Sequence, residues 1–398
     1  LEALALRYHP SILQARQAAE AARLQCLMTR AARLPQISAS GGYSRTTRNT
    51  QGQPSSERMQ GSWSGGIGLD LLLHDFGKLK AQARQDRENL IAAEEQLREA
   101  ELETLYNLRS AFYERHRAAH LLGVALQAEE QYAQHLEEAR VMAEVGTRRK
   151  YDVTKAGVDW GNARLDTIAA SNSLAVSHAQ LNRALGLAEN PAYEVADDIS
   201  PQDAVKDTAA LMDEARENAP ALAVLRARER AASAYVDQTI ADLYPDLSLG
   251  ADADISGRNF PLVWNFSWAV RAAQSVFDGR RRTTLIREAV TRLRTARAGL
   301  ASAEQSLHLE VLTARAQLDT ARKRSEVARL VERQAAENLE VVNEQYRVGI
   351  SSSIERTDAQ VALTQAQSDA IRARYDERIA IARLLRLTGR LAAPQPAP

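Results

Sequence analysis

The chain has 398 residues with 51 Lys plus Arg against 51 Asp plus Glu, so its formal net charge is zero and a nucleic-acid partner is not expected. Charged residues make up 26% and aromatic residues 5%, in a vocabulary of Ala, Leu, Glu, Arg and Gln that favours long helices over two or three ordinary domains. The single cysteine, Cys26, excludes an internal disulfide framework and a thiolate metal cluster, and no stretch reaches the ~18 consecutive apolar residues of a membrane-spanning helix.

The chain opens on Leu1 rather than Met, so a preceding segment is expected. Residues 2–33 are helical in vocabulary, and Pro35 follows them. Beyond it the period changes to two. Ile37, Ala39, Gly41 and Tyr43 oppose Ser38, Ser40, Gly42 and Ser44; then Trp63, Ile67, Leu69 and Leu71 oppose Ser64, Gly68 and Asp70. Such alternation predicts a strand hairpin over 36–73, with a polar tip near 46–60. From 78 to 145 there is no proline, and a proline in a helix interior costs ~3 kcal/mol. One helix can therefore run the whole stretch, about 100 Å at 1.5 Å per residue. Val145-Gly146 ends it, and a return helix is expected over 152–185.

The remainder repeats this plan. His9-Pro10 matches Ala219-Pro220, Leu34-Pro35-Gln36-Ile37-Ser38 matches Tyr244-Pro245-Asp246-Leu247-Ser248, and Val145-Gly146 matches Val348-Gly349. The chain is a tandem duplication, with repeats over 1–200 and 201–398. The second repeat is expected to hold helices at 207–242, 280–348 and 354–387 and a strand hairpin at 246–277. In its long helix Leu300, Leu307, Val311, Ala314, Leu318 and Ala321 follow the spacing of a coiled-coil seam. In its hairpin Leu247, Leu249, Ala251, Ala253 and Ile255 oppose Ser248, Gly250, Asp252, Asp254 and Ser256. Trp264, Phe266, Trp268 and Val270 likewise oppose Asn265, Ser267, Ala269 and Arg271. In the first repeat the two shorter helices, 32 and 34 residues, together nearly equal the 68 of the long one, so stacked end to end they could flank it.

A two-faced sheet usually rests its apolar face on a core. Here nearly all other sequence is committed to rods, so another chain or lipid must cover the aromatic face. Strands of about ten residues with Trp and Phe on one side match the alternation of transmembrane barrels. Open edges are forbidden in hydrocarbon, and about eight strands are needed to enclose an interior. Four strands per chain then require several chains, two giving eight strands and three giving twelve. A soluble sheet, with its charged residues merely wet, is the competing reading.

Three motifs carry a family likeness: Ala5-Leu6 with His9-Pro10; Leu34-Pro35-Gln36-Ile37-Ser38; and Tyr346-Arg347-Val348-Gly349 followed by Glu355, Asp358, Ala359 and Gln360. With them the sequence resembles the outer membrane efflux protein family, the TolC-like channels. Val145-Gly146 with Asp152 echoes the last motif, and the resemblance covers essentially the whole chain. It implies a mainly α fold with a small β part: a homotrimer forming one 12-stranded barrel in the outer membrane, continued by an α-helical barrel across the periplasm. It further implies an exit duct that docks with a periplasmic adaptor protein and an inner-membrane pump, in tripartite efflux or type I secretion.

Gly146 and Gly349 mark the two helix-turn tips, where a C-cap demands positive φ. Ser352 and Glu355 form a possible capping box. The acids Asp152, Glu355 and Asp358 read either as caps and helix-dipole partners or, in three copies, as a cation-attracting ring. The resemblance places Asp152, Tyr346, Glu355 and Asp358 at a closed periplasmic entrance. The chain departs from the family there, since Ser351 stands where the best-known gate has a basic residue. Arg148, Arg149, Lys150 and Lys155 instead make the first tip basic. These cations, Arg148 and Arg149 foremost, are expected to pair with Glu355 or Asp358 across helices and hold the channel shut. On the strands, Asp70, Asp252, Asp254 and Arg271 are expected to face a barrel lumen, and Trp63, Trp264, Phe266 and Trp268 to face outer-membrane lipid.

His116 and His120 have metal-ligand spacing, but Arg117 replaces the glutamate of a zinc-protease helix, and two solvated histidines are expected. There is no phosphate-binding glycine loop and no nucleophile elbow, so neither an enzyme nor a cofactor is expected. A coiled-coil scaffold with a small sheet would explain the rods but not the one-sided aromatic strands. A periplasmic adaptor would not be duplicated end to end.

Overall fold

A computed structural model of the chain describes residues 1–47, 59–146, 149–187, 189, 191, 193 and 207–391. The first repeat contains α1 (Glu2–Tyr8), α2 (Pro10–Ala31), β1 (Gln36–Thr47), β2 (Met59–His74), α3 (Lys78–Glu144) and α4 (Lys150–Leu185). The second contains α5 (Thr208–Asn218), α6 (Pro220–Ala241), β3 (Asp246–Gly257), β4 (Val263–Ala273), α7 (Arg281–Arg347) and α8 (Ser353–Leu387). The order helix, helix, strand, strand, helix, helix thus occurs twice along the chain. No described helix is long and apolar enough to cross a membrane.

Each expected first helix is broken once. His9 (φ −64°, ψ 128°) and Ala219 (φ −69°, ψ 114°) are extended, and a proline begins the next helix. The cause is local: a proline ring disfavours helical backbone in the residue before it, while proline itself fits a helix start, where no N–H partner is needed.

The chain separates into two compact units, each drawn from both repeats: Leu1–Ala15, Leu97–Pro220 and Ala303–Pro398 in one, Arg16–Gln96 and Ala221–Ser302 in the other. In the first, two clusters are quasi-equivalent. One groups Ala5, Leu108, Leu181 and Leu185 from α1, α3 and α4; the other groups Ala215, Val311, Leu384 and Leu387, among others, from α5, α7 and α8. Val311, Ala314 and Leu318 of the predicted seam are buried there. A Cβ on Gly186 would meet His9 Cα at 3.0 Å, and one on Gly389 would meet Asn218 O at 2.7 Å. Each repeat therefore lets a return helix end against the break before its proline.

The second unit carries the sheet and the helices beside it. All four strands join in one antiparallel sheet of order β1-β2-β3-β4, the two hairpins meeting along β2 and β3. Among the helices small residues dominate, with Ala92, Val224 and Ala227 packed together, so backbones approach closely. Buried Asp86 accepts from the Thr29 hydroxyl and from Gln82 Nε2, and Arg230 reaches Glu88 at 2.7 Å. Asp75 and Asp278 each cap a long helix directly after a strand, accepting from Leu79 N–H and Arg282 N–H.

Candidate functional site

Both long helices end in the same turn. Gly146 and Gly349 have φ of +80° and +79°, conformations that cost most side chains about 1–2 kcal/mol. Gly349 N–H donates to Tyr346 O and Ile350 N–H to Gln345 O, so the last carbonyls are satisfied and the chain can reverse into α8. Around the turns Val145, Val348 and Ile350 are all at least 70% exposed, which leaves the tips apolar.

At the start of α8 Ser352 Oγ accepts from Glu355 N–H at 3.2 Å, while the Glu355 carboxylate accepts from Ser352 N–H at 2.9 Å and from Ser351 Oγ at 2.5 Å. These hydrogen bonds, the Ser351 hydroxyl first, hold the Glu355 carboxyl below its usual range although the group is exposed. Ser351 is buried and orients the acid. At the start of α4 the Asp152 carboxylate accepts from Arg149 N–H at 3.4 Å.

The cross-helix cation is Arg356, one residue after Glu355. Its guanidinium donates to Glu138 of α3 at 2.7 Å and to Asn343 of α7 at 3.0 Å, and lies 4.8 Å from the Tyr346 ring centroid. Arg356 therefore joins α8 to both long helices. It lines a small cavity of about 40 Å³ together with Asp152, Lys155, Asp159, Tyr346 and His135. Lys155 pairs with Asp159 at 2.9 Å. Burial, and then the charge of Arg356, push the His135 imidazole down to about 4. Burial and the charges of Asp159, Asp166 and Asp358 push the Tyr132 hydroxyl up to about 12. The cavity shares Tyr132, Asp159 and Thr357 with a groove of about 1110 Å³ between α3, α4 and α8.

Of the residues singled out from sequence, Asp152 and Tyr346 meet in this cavity, while Glu355 and Asp358 are exposed on the α8 turns beside it. The Arg149 side chain is exposed and forms no ion pair with Glu355 or Asp358 among the described residues; Arg148 lies outside them. Arg356, Glu138, Asn343 and His135 were not anticipated. His116 corrects the expectation of two solvated histidines: it is buried against Phe112, 4.5 Å between ring centroids, because its turn of α3 faces neighbouring helices. His120 is exposed, with its ring stacked on Tyr375.

On the sheet, the register sorts residues cleanly. Gly68, Asp252 and Ser267 are successive partners, as are Gly66, Asp254 and Asn265, so Asp252 and Asp254 share a face that also carries Asp70 and Arg271. Asn265 donates to Asp254 across the strands at 3.3 Å. Ile255 pairs with Trp264, Ala253 with Phe266 and Ala251 with Trp268, and Trp63 lies on the same face beside Tyr43, 4.8 Å between ring centroids. Trp264, Phe266 and Trp268 are 76%, 62% and 68% exposed.

A duplicated chain of long helices, tight glycine tips and one two-faced sheet is the architecture of an outer membrane channel. The family model for outer membrane efflux proteins matches residues 1–187 and 211–390, and the chain belongs to that family. Outer membrane protein TolC of Escherichia coli (strain K12) is 27% identical over 184 residues, which are 44% of this chain and 37% of that protein. The chain thus aligns with little more than a third of that relative's length. A membrane protein from Pseudomonas aeruginosa shares the fold, with a TM-score of 0.87 and 22% identity over 98% of this chain and 92% of that one. So does the CmeC outer membrane channel of Campylobacter jejuni, with a TM-score of 0.85 and 16% identity over 97% and 84%. The protein resides in the outer membrane of a Gram-negative bacterium, with a long helical portion in the periplasm.

Proposed function

We propose that three copies of this chain form the outer membrane exit duct of a tripartite efflux or type I secretion system, taking substrates from a periplasmic adaptor and an inner-membrane pump. Each copy supplies four strands to a closed 12-stranded barrel, with Trp63, Trp264, Phe266 and Trp268 toward lipid and Asp70, Asp252, Asp254 and Arg271 toward the lumen. One observation carries the reading: a four-stranded sheet has one strongly exposed aromatic face and unpaired outer edges at β1 and β4. Hydrocarbon tolerates such a face only if the edges close. Apolar side chains exposed on helices, among them Leu24, Leu27 and Met28 of α2 and Leu165 and Ile168 of α4, support burial between copies.

The repeats interleave in the duct wall. Its periplasmic end is the gate, lined by Asp152, Tyr346, Glu355 and Asp358, where Glu355 and Asp358 from three copies make an acidic ring. The tips at Gly146 and Gly349 turn the helices back, and exposed Arg149 before α4 is a cation that can face a neighbour's acids. Within one copy the clasp of Arg356 on Glu138, Asn343 and Tyr346 holds the α8 start against α3 and α7. The test is conductance in planar bilayers. Detergent-purified protein is expected to run as a trimer and give discrete cation-selective channels, whereas a coiled-coil scaffold stays in solution and gives none.

A further inference from the structure

At the junction of strands and helices in the sheet-bearing unit, the acids are already committed. Asp75 and Asp278 cap α3 and α7, while Asp242, at 2.6 Å, and Asp246, at 3.9 Å, hold Lys78. The cations there are in excess. Arg33 in the turn before β1, Lys80 in the first turn of α3, and Arg280 and Arg281 at the start of α7 are all exposed and form no ion pair among the described residues. The same level carries uncovered apolar groups. Phe76 stacks on Tyr244 at 5.4 Å, both about half exposed, and Val276 and Phe277 are 97% and 86% exposed. These residues directly follow β2 and β4 or precede β3, where the strands give way to helices.

We propose that this belt binds the headgroups of anionic phospholipids in the periplasmic leaflet of the outer membrane. The inference rests on the reading that the Trp face of the sheet meets lipid. Aromatic rings settle at the boundary between hydrocarbon and water, and Lys or Arg just beyond them meets the headgroup phosphates. Arg presents a fork of donors that suits phosphate oxygens, and two adjacent arginines next to an exposed Val276-Phe277 step provide a headgroup contact and an acyl-chain contact side by side. Charge and apolar surface together favour a lipid over a soluble anion, which would use only the cations.

The test compares wild-type trimer with R280Q/R281Q and with R280K/R281K, reconstituted into phosphatidylcholine vesicles with and without phosphatidylglycerol. All three are expected to float with either vesicle. Phosphatidylglycerol is expected to raise the thermal midpoint of wild type and of the lysine variant, with the effect fading as salt rises. In the glutamine variant, retention of phosphatidylglycerol by native mass spectrometry is expected to fall roughly fivefold per cation removed. Flotation of all three with a thermal midpoint and a lipid retention that do not respond to phosphatidylglycerol overturns this inference alone. Absence of flotation overturns the lipid-facing barrel as well. Equal stabilisation by inorganic phosphate points to a soluble anion and sinks the proposal, as does loss of the trimer in the glutamine variant with lipid retention per copy unchanged.

Discussion

Arg356 makes contacts with two other helices from a side chain whose own exposure is 15%, against 48% for its partner Glu138. A half-exposed pair is worth little, but the fork also satisfies Asn343 and covers Tyr346, so removing it costs on the order of 1–2 kcal/mol. Since 1.4 kcal/mol is a tenfold change in an equilibrium, R356Q is expected to raise the open fraction of the gate several-fold, with R356K between it and wild type. Unchanged single-channel conductance and open probability in R356Q would remove Arg356 from the gate. His135 adds a pH dependence. Its ordinary value of 6.5 falls to about 4 on folding, so between those values the unfolded chain binds more protons. Stability is then full above about pH 6.5 and is lost as pH falls toward 4. A protonated His135 also repels Arg356, so acid should loosen the same clasp. The thermal midpoint in detergent should fall across this window in wild type and less steeply in H135Q; parallel curves would count against the argument. Sequence showed the acids and the tyrosine of this site because they sit at fixed steps from the tip glycines. It did not show Arg356, because the Glu138 that gives it meaning is 218 residues away.

Helices were the most legible elements, since proline-free stretches and glycine stops limit where a helix can run. Strands were legible through period two, and the seam at 307–321 through its heptad spacing. The breaks at His9-Pro10 and Ala219-Pro220 were in plain sight as prolines, yet continuous helical vocabulary on both sides masked them. Their purpose lies in tertiary contact, because each receives the end of a return helix at Gly186 or Gly389. This distinction between local and tertiary demand can be measured. Gly349 has nothing within 4 Å of where a Cβ would sit, so G349A pays only the left-handed backbone, about 1–2 kcal/mol. Gly389 has the same backbone at φ +66° and in addition a backbone oxygen at 2.7 Å that cannot swing away. G389A should therefore lower the thermal midpoint clearly more than G349A, by the several degrees that an extra 1–3 kcal/mol implies. Equal shifts would show that the return helix can slide off its proline break without cost.

At the scale of the whole molecule, the lack of a long apolar run and the one-sided aromatic strands indicated a membrane protein with no spanning helix, but the number of copies is not written in any one residue. Four strands leave two edges, and closure could come from two chains or three. The edges themselves supply the decisive measurement. Within one chain β1 and β4 are separated by two intervening strands, about 14 Å at 4.8 Å per step. A disulfide needs Cβ atoms about 3.5–4.5 Å apart, so a bond between cysteines on β1 and β4 can form only between chains. With Cys26 replaced by alanine, Ser40→Cys can be combined in turn with Ser267→Cys, Ala269→Cys or Arg271→Cys, three positions on the polar face of β4 whose spacing samples the unknown register across the edge. In the register that aligns them, oxidation of the assembled protein should yield covalent dimers and then trimers on a denaturing gel, with nothing larger. A ladder that stops at dimers would mean an eight-stranded barrel. Monomers at every position, from protein that still floats with vesicles, would mean that the edges do not meet and that the barrel is not shared.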